Sequence, residues 1–152
     1  MFSKYRIELK KGNLSLVREK SFKDTAFQTP SEVASFILNN MRMKNATEEF
    51  LHIIALDTRG NALGVFEVFH GSVNLNLCSP REIMIRLLLC NATSFICVHN
   101  HPSGDPSPSG EDMNSFTRLK KSGELLNVPL TDFIIVGRKD NAFVSFKDRG
   151  DL

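Results

Sequence analysis

Tryptophan is missing from this chain, tyrosine occurs once and cysteine three times. The three thiols, Cys78, Cys90 and Cys97, are odd in number and show no C-x-x-C spacing. Neither a disulfide framework nor a cysteine zinc site is expected, and a cytoplasmic, reducing compartment fits best. No stretch reaches the roughly 18 apolar residues of a membrane helix, and the opening Met1-Phe2-Ser3-Lys4-Tyr5-Arg6 lacks the apolar core of a signal peptide, so no membrane partner is expected. A charge excess is missing as well: 19 basic against 17 acidic residues leave +2. That is too little to argue for nucleic acid as the partner, although it does not rule it out. The basic cluster of Lys10, Lys11, Arg18, Lys20 and Lys23 reads as a solvated face. Repeats and low-complexity segments are absent, and nothing in the pattern specifies an oligomeric state.

What is present suits one soluble globular domain. With 152 residues, 41% of them hydrophobic and 24% charged, a chain of this size buries roughly two thirds of its unfolded surface and needs neither disulfide nor metal to build a core. Alternating Tyr5, Ile7 and Leu9, then Lys11-Gly12-Asn13, then Leu14 and Leu16 predict an N-terminal hairpin, and residues 21–29 resemble a linker. Thr29-Pro30-Ser31-Glu32 combines a cap, a proline at the first helical position and a glutamate three residues after the cap, which predicts a helix over about 30–43. Leu51–Leu56 and Ala62–Phe69 read as a hairpin of buried strands, with Leu63, Val65, Glu67 and Phe69 on one face. Ser79-Pro80-Arg81-Glu82 repeats the capping-box pattern ahead of a helix that Asn91 can end. A helix over about 110–122, stopped by Gly123, and a final hairpin of 132–136 with 142–146 complete an α/β pattern: a mixed β-sheet flanked by helices.

The stretch from Ser94 to Asp112 carries the chemistry. The apolar run Phe95–Val98 ends in His99 and His101, two residues apart, so both imidazoles project from one side of a strand. Pro102, Gly104, Pro106 and Pro108 then force a loop, and the next helix brings Asp112 in its first turn. Taken alone, Ser109-x-x-Asp112 is a helix capping box, and His99-x-His101 need not bind metal. Together, two imidazoles and a carboxylate are a donor set for Zn²⁺, and three protein ligands leave a position for water. Glu67, among apolar neighbours, is read from pattern alone as either a solvated strand residue or a functional carboxylate.

His99-x-His101, seven residues, Ser109, two residues, Asp112 resembles the JAMM motif of the JAB/MPN metallopeptidases, and the wording of residues 99–106 is similar to the RadC-like branch of that family. Residues 69–74, 79–82 and 145–150 extend the resemblance, which covers about residues 30–152 and leaves 1–29 as a hairpin extension. It implies the MPN fold, related to cytidine deaminases, and a zinc-dependent hydrolase of peptide or isopeptide bonds. His99, His101 and Asp112 would hold the metal, Glu67 would act as general base, and Ser109 would donate a hydrogen bond to the oxyanion. Two departures stand out: 152 residues leave no room for the N-terminal helix-hairpin-helix region common in that branch, and Phe133 follows Asp132 where a histidine is usual. A non-catalytic binding module on the same fold, or a DNA-repair-associated protein, are the alternative functions. Cys97 is expected to be a buried apolar residue rather than a soft ligand. His52 and His70 are expected outside the constellation, and Asp105 either solvated in its loop or supporting a histidine ligand.

Overall fold

Seven strands pair into one mixed sheet in the order β2-β1-β4-β3-β5-β6-β7 in this computed structural model, which describes residues 1–71, 79–139 and 141–152. The elements are β1 (Phe2–Lys10), β2 (Asn13–Phe22), α1 (Pro30–Asn40), β3 (Glu49–Leu56), β4 (Ala62–Gly71), α2 (Pro80–Leu89), β5 (Ser94–Asn100), α3 (Gly110–Leu125), β6 (Leu130–Val136) and β7 (Phe143–Ser145). Pairs β1/β4 and β5/β6 are parallel and the others antiparallel. Cys78, the family-like wording at Ser72, Val73 and Asn74, and Asp140 of the last turn lie outside the described residues.

The central strands are buried on both faces, and each face has its own core. One side sets Ile54, Val65, Val98 and Ile134 against Val33, Ile37 and Leu38 of α1. The other sets Ile53, Phe66, Cys97 and Phe133 against Ile83 and Leu87 of α2 and Phe116 and Leu119 of α3. Helices on both sides of a largely apolar sheet follow from strands that read as continuous apolar runs. The expected hairpin forms at β1–β2 and joins the main sheet through β4, delivering Phe2 to the α1 core beside Phe22, Phe27 and Phe36.

Local signals fared unevenly. At Thr29 both halves of the capping box form. At Ser79 only the hydroxyl is engaged, and it accepts from the Arg81 N–H rather than from the third position, while the Glu82 carboxylate turns to Arg81 and Arg86. Asn91 ends α2 in the left-handed region at φ 56°. Gly123 does not stop α3: the helix runs on to Leu125, and Asn127 takes the left-handed conformation at φ 54°. Gly123 is there for proximity instead, since a Cβ at that position would sit 2.6 Å from the Val128 carbonyl oxygen. The single face expected for Leu63, Val65, Glu67 and Phe69 is broken by irregularities in the β3/β4 register at Leu51/His52 and Ala55/Leu56. Each extra residue flips the alternation, so Leu63 and Phe69 pack on the α2/α3 side while Val65 stays on the α1 side.

Candidate metal centre

The cluster forms where β5 ends and α3 begins. His99 pairs with Leu51 of β3, which fixes its ring on the α2/α3 side of the sheet, fully buried. His101 lies one residue beyond β5, its N–H held by the Val136 carbonyl at 2.9 Å. Ser109 caps α3 in a complete capping box: its hydroxyl accepts the Asp112 N–H and donates to Asp112 Oδ2 at 2.9 Å, and its own N–H donates to that oxygen at 2.6 Å. Asp112, 1% exposed, is therefore aimed by the cap rather than by contact with solvent.

One ligand atom from each of His99, His101 and Asp112 lies within 4.8 Å of the others. His99 Nε2 is 2.9 Å from Asp112 Oδ1, and His101 Nε2 is 3.2 Å from Oδ2. His101 Nδ1 stands 2.8 Å from the Asp105 carbonyl; donating its hydrogen there leaves the Nε2 lone pair facing the carboxylate. Asp105 thus supports His101 through its main chain and not its carboxylate. His99 Nε2 and Asp112 Oδ1, although close, are not aligned as a hydrogen bond, and neither atom has a hydrogen-bonded partner. Buried lone pairs converging without hydrogens between them are costly unless a cation sits among them. The residues present therefore fit a metal ion with nitrogen and oxygen ligands. Burial alone would raise the Asp112 pKa, but the two imidazoles and the Ser109 N–H outweigh it and hold the group well below the carboxylate range. The nearby Asp112 carboxylate raises the His101 pKa, against the opposing effect of burial.

Behind His99 stands Phe133, its ring 5.7 Å away and packed on Phe116 and Phe146. An aromatic wall thus backs His99 at the position where the family resemblance makes a histidine usual. The preceding Asp132 is structural: its carboxylate accepts from the Phe133 N–H, the Ser145 hydroxyl and the Lys147 N–H, tying β6 to β7. Cys97 is buried in the core between Ile53 and Phe133 and outside the cluster.

Glu67 is not brought to the cluster. It pairs with His52, which pairs with Val98, and that row faces α1, on the opposite side of the sheet from His99. Its carboxylate, 33% exposed, instead lies 3.5 Å from Lys4 Nζ and 3.9 Å from His52 Nε2. The physical reason is parity: strand residues one apart face opposite ways, and the β3/β5 register decides which side meets the histidines. Another carboxylate, Glu49, lies on the cluster's side of the sheet. As the first residue of β3 it shares the face of Leu51, and it lines a cavity of about 720 Å³ together with Thr47, His101, Ser109 and Asp112. It is 7% exposed, and its Oε2 has no hydrogen-bonded partner. Burial pushes its pKa up, against the opposing charges of His99 and His101. The strand begins two residues before the apolar run at 51–56, and alternation back from Leu51 is the signal that places Glu49 on this face. His52 and His70 lie outside the cluster as expected; His70 stacks on Phe50 at 4.3 Å and contacts Glu48.

The profile of RadC-like JAB domains matches residues 27–151. This chain belongs to that family. Among curated relatives, the RadC-like JAB domain described here is 41% identical over 138 residues to a UPF0758 protein of Clostridium kluyveri, covering 89% of this chain and 59% of the relative. It is 43% identical over 123 residues to a UPF0758 protein of Bacillus licheniformis, covering 81% of this chain and 53% of the relative. The chain thus spans a little over half the length of these relatives. The sheet of seven strands flanked by three helices accords with the JAB/MPN fold of a RadC-like domain. Among the described residues no helix is long and apolar enough to cross a membrane.

Proposed function

We propose that this RadC-like JAB domain is a zinc-dependent hydrolase of amide bonds, with a peptide or isopeptide as substrate. One observation carries the reading: one ligand atom each from buried His99, buried Asp112 and half-buried His101 converges on one point, with no hydrogen bond satisfying His99 Nε2 or Asp112 Oδ1. The three residues would hold Zn²⁺ through the imidazole nitrogens and the carboxylate. When bound, zinc would polarise the scissile carbonyl and lower the pKa of a water to near neutrality.

The protein's own residues supply the rest. Glu49, a carboxylate whose affinity for protons is raised by burial, accepts the proton of the attacking water and returns it to the leaving amine nitrogen. The role first assigned to Glu67 thus passes to Glu49; without an acid on this face, a non-catalytic binding module would be the better reading. Ser109 gives its hydroxyl hydrogen to Asp112 Oδ2, so its part is to hold that carboxylate in aim rather than to face an oxyanion.

Zinc titration by dye competition, combined with hydrolysis of a panel of peptide amides and lysine isopeptides, tests the proposal. Wild-type protein should bind one zinc per chain, Asp112→Ala should lose at least about 100-fold in affinity, and Glu49→Gln should still take up one zinc, about tenfold more weakly, while losing at least about 100-fold in rate at saturating zinc. Wild-type protein that takes up no zinc from excess metal, or full hydrolysis by Glu49→Gln, would overturn it.

A further inference from the structure

We propose that Asn100, the residue between the two histidines, is a positioning residue for Glu49, a role that rests on the zinc hydrolase reading. The β3/β5 pairing runs from Leu56 opposite Ser94 to Leu51 opposite His99 and stops there. The next rung would set Phe50 against Asn100, and the one after it Glu49 against His101. Instead, the His101 N–H is taken by Val136 of β6, and the chain leaves for the proline loop. The beginning of β3 therefore keeps main-chain pairing with β4 alone, Glu49 opposite Gly71 and Phe50 opposite His70, and its β5 edge is unpaired at the point where Glu49 must be held.

The side-chain amide of Asn100 fills that gap. Its Oδ1 accepts the Phe50 N–H at 2.7 Å, and its Nδ2 donates to the Glu48 carbonyl at 3.0 Å. A primary amide carries one acceptor and one donor group much as a peptide unit does, so it stands in for the missing rung. Asparagine is 1% exposed, so water does not compete for these bonds. The two bonded groups belong to residues 48 and 50, which bracket Glu49. Because Glu49 Oε2 has no hydrogen bond of its own, its direction is set by the backbone on either side. A residue flanked by both histidine ligands therefore fixes the acid relative to the metal site. Aspartate would keep the bond from Phe50 but turn an acceptor toward the Glu48 carbonyl, and alanine would lose both.

A thermodynamic cycle on zinc affinity, read by competition with a chromophoric chelator, tests this without relying on turnover. The proteins are the wild-type chain, Asn100→Ala, Glu49→Gln and the double variant, with Asn100→Asp as a second probe should the alanine variant fold poorly. Removing the buried negative charge in Glu49→Gln is expected to weaken zinc about tenfold, Asn100→Ala by a similar factor, and the double variant no more than either alone. Hydrogen exchange at the Phe50 amide of the metal-free chain should quicken about 10- to 100-fold in Asn100→Ala, with amides of β6 unaffected. Losses that multiply in the double variant, or an unchanged Phe50 amide, would overturn the role of Asn100 while leaving the zinc reading intact. Wild-type protein that binds no zinc would overturn both.

Discussion

Ser109 and His52 show how much a single buried side chain can decide. Ser109 both caps α3 and grips Asp112 Oδ2. Ser109→Ala should therefore cost about 1 kcal/mol in urea unfolding of the metal-free protein and, separately, weaken zinc about tenfold. His52 is fully buried in β3 with neither ring nitrogen hydrogen-bonded, facing Glu67 and near Lys4. Burial first, and Lys4 second, lower its pKa from 6.5 to about 3. A base with a depressed folded pKa is protonated sooner in the unfolded chain, so its contribution is intact above pH 6.5 and is lost as pH falls toward 3. Between pH 7 and pH 5 the loss should be about 2 kcal/mol. Urea midpoints of wild type and His52→Leu at the two pH values check this, and the variant should lack that part of the decline.

At the scale of elements, α3 and the hairpin carry the clearest expectations. Alanine in place of a helical glycine normally gains about 1 kcal/mol. At Gly123, however, the new Cβ would lie 2.6 Å from the Val128 carbonyl oxygen and 3.2 Å from the Leu130 nitrogen, both backbone atoms. Overpacking against atoms that cannot swing away costs about 1–3 kcal/mol, so Gly123→Ala should be destabilising overall. Gly110→Ala, with nothing within 4 Å of the added methyl group, serves as the control in the same chemical denaturation series. In β1, Phe2 is buried against the rings of Phe22, Phe27 and Phe36. Phe2→Ala should cost about 3–5 kcal/mol, because the hairpin contributes to the α1 core.

For the whole molecule, a ligand that binds only the folded chain stabilises it in proportion to its occupancy. Zinc at 100 times its dissociation constant should add about 2.7 kcal/mol, which for a domain of this size raises Tm by about 5–10 °C. Thermal scans with and without zinc check this, and Asp112→Ala should abolish the shift. The architecture was legible in advance from caps, turn residues and apolar runs, since these act over a few residues. Thr29 and Asn91 acted as local rules require, and the two strands on either side of Asp57–Asn61 formed where expected. Gly123 misled because its role is a close approach between elements, which has no local signature.

The sequence by itself determined the strand-loop-helix unit that gathers His99, His101, Ser109 and Asp112, because strand alternation and the capping box place those four within 14 residues of chain. Which further carboxylate joins them was a tertiary decision. Whether Glu49 or Glu67 meets the cluster depends on the pairing of Leu51 with His99 and on the irregularities between β3 and β4. A shift of one residue in either ladder would reverse the faces, and no spacing along the chain records it.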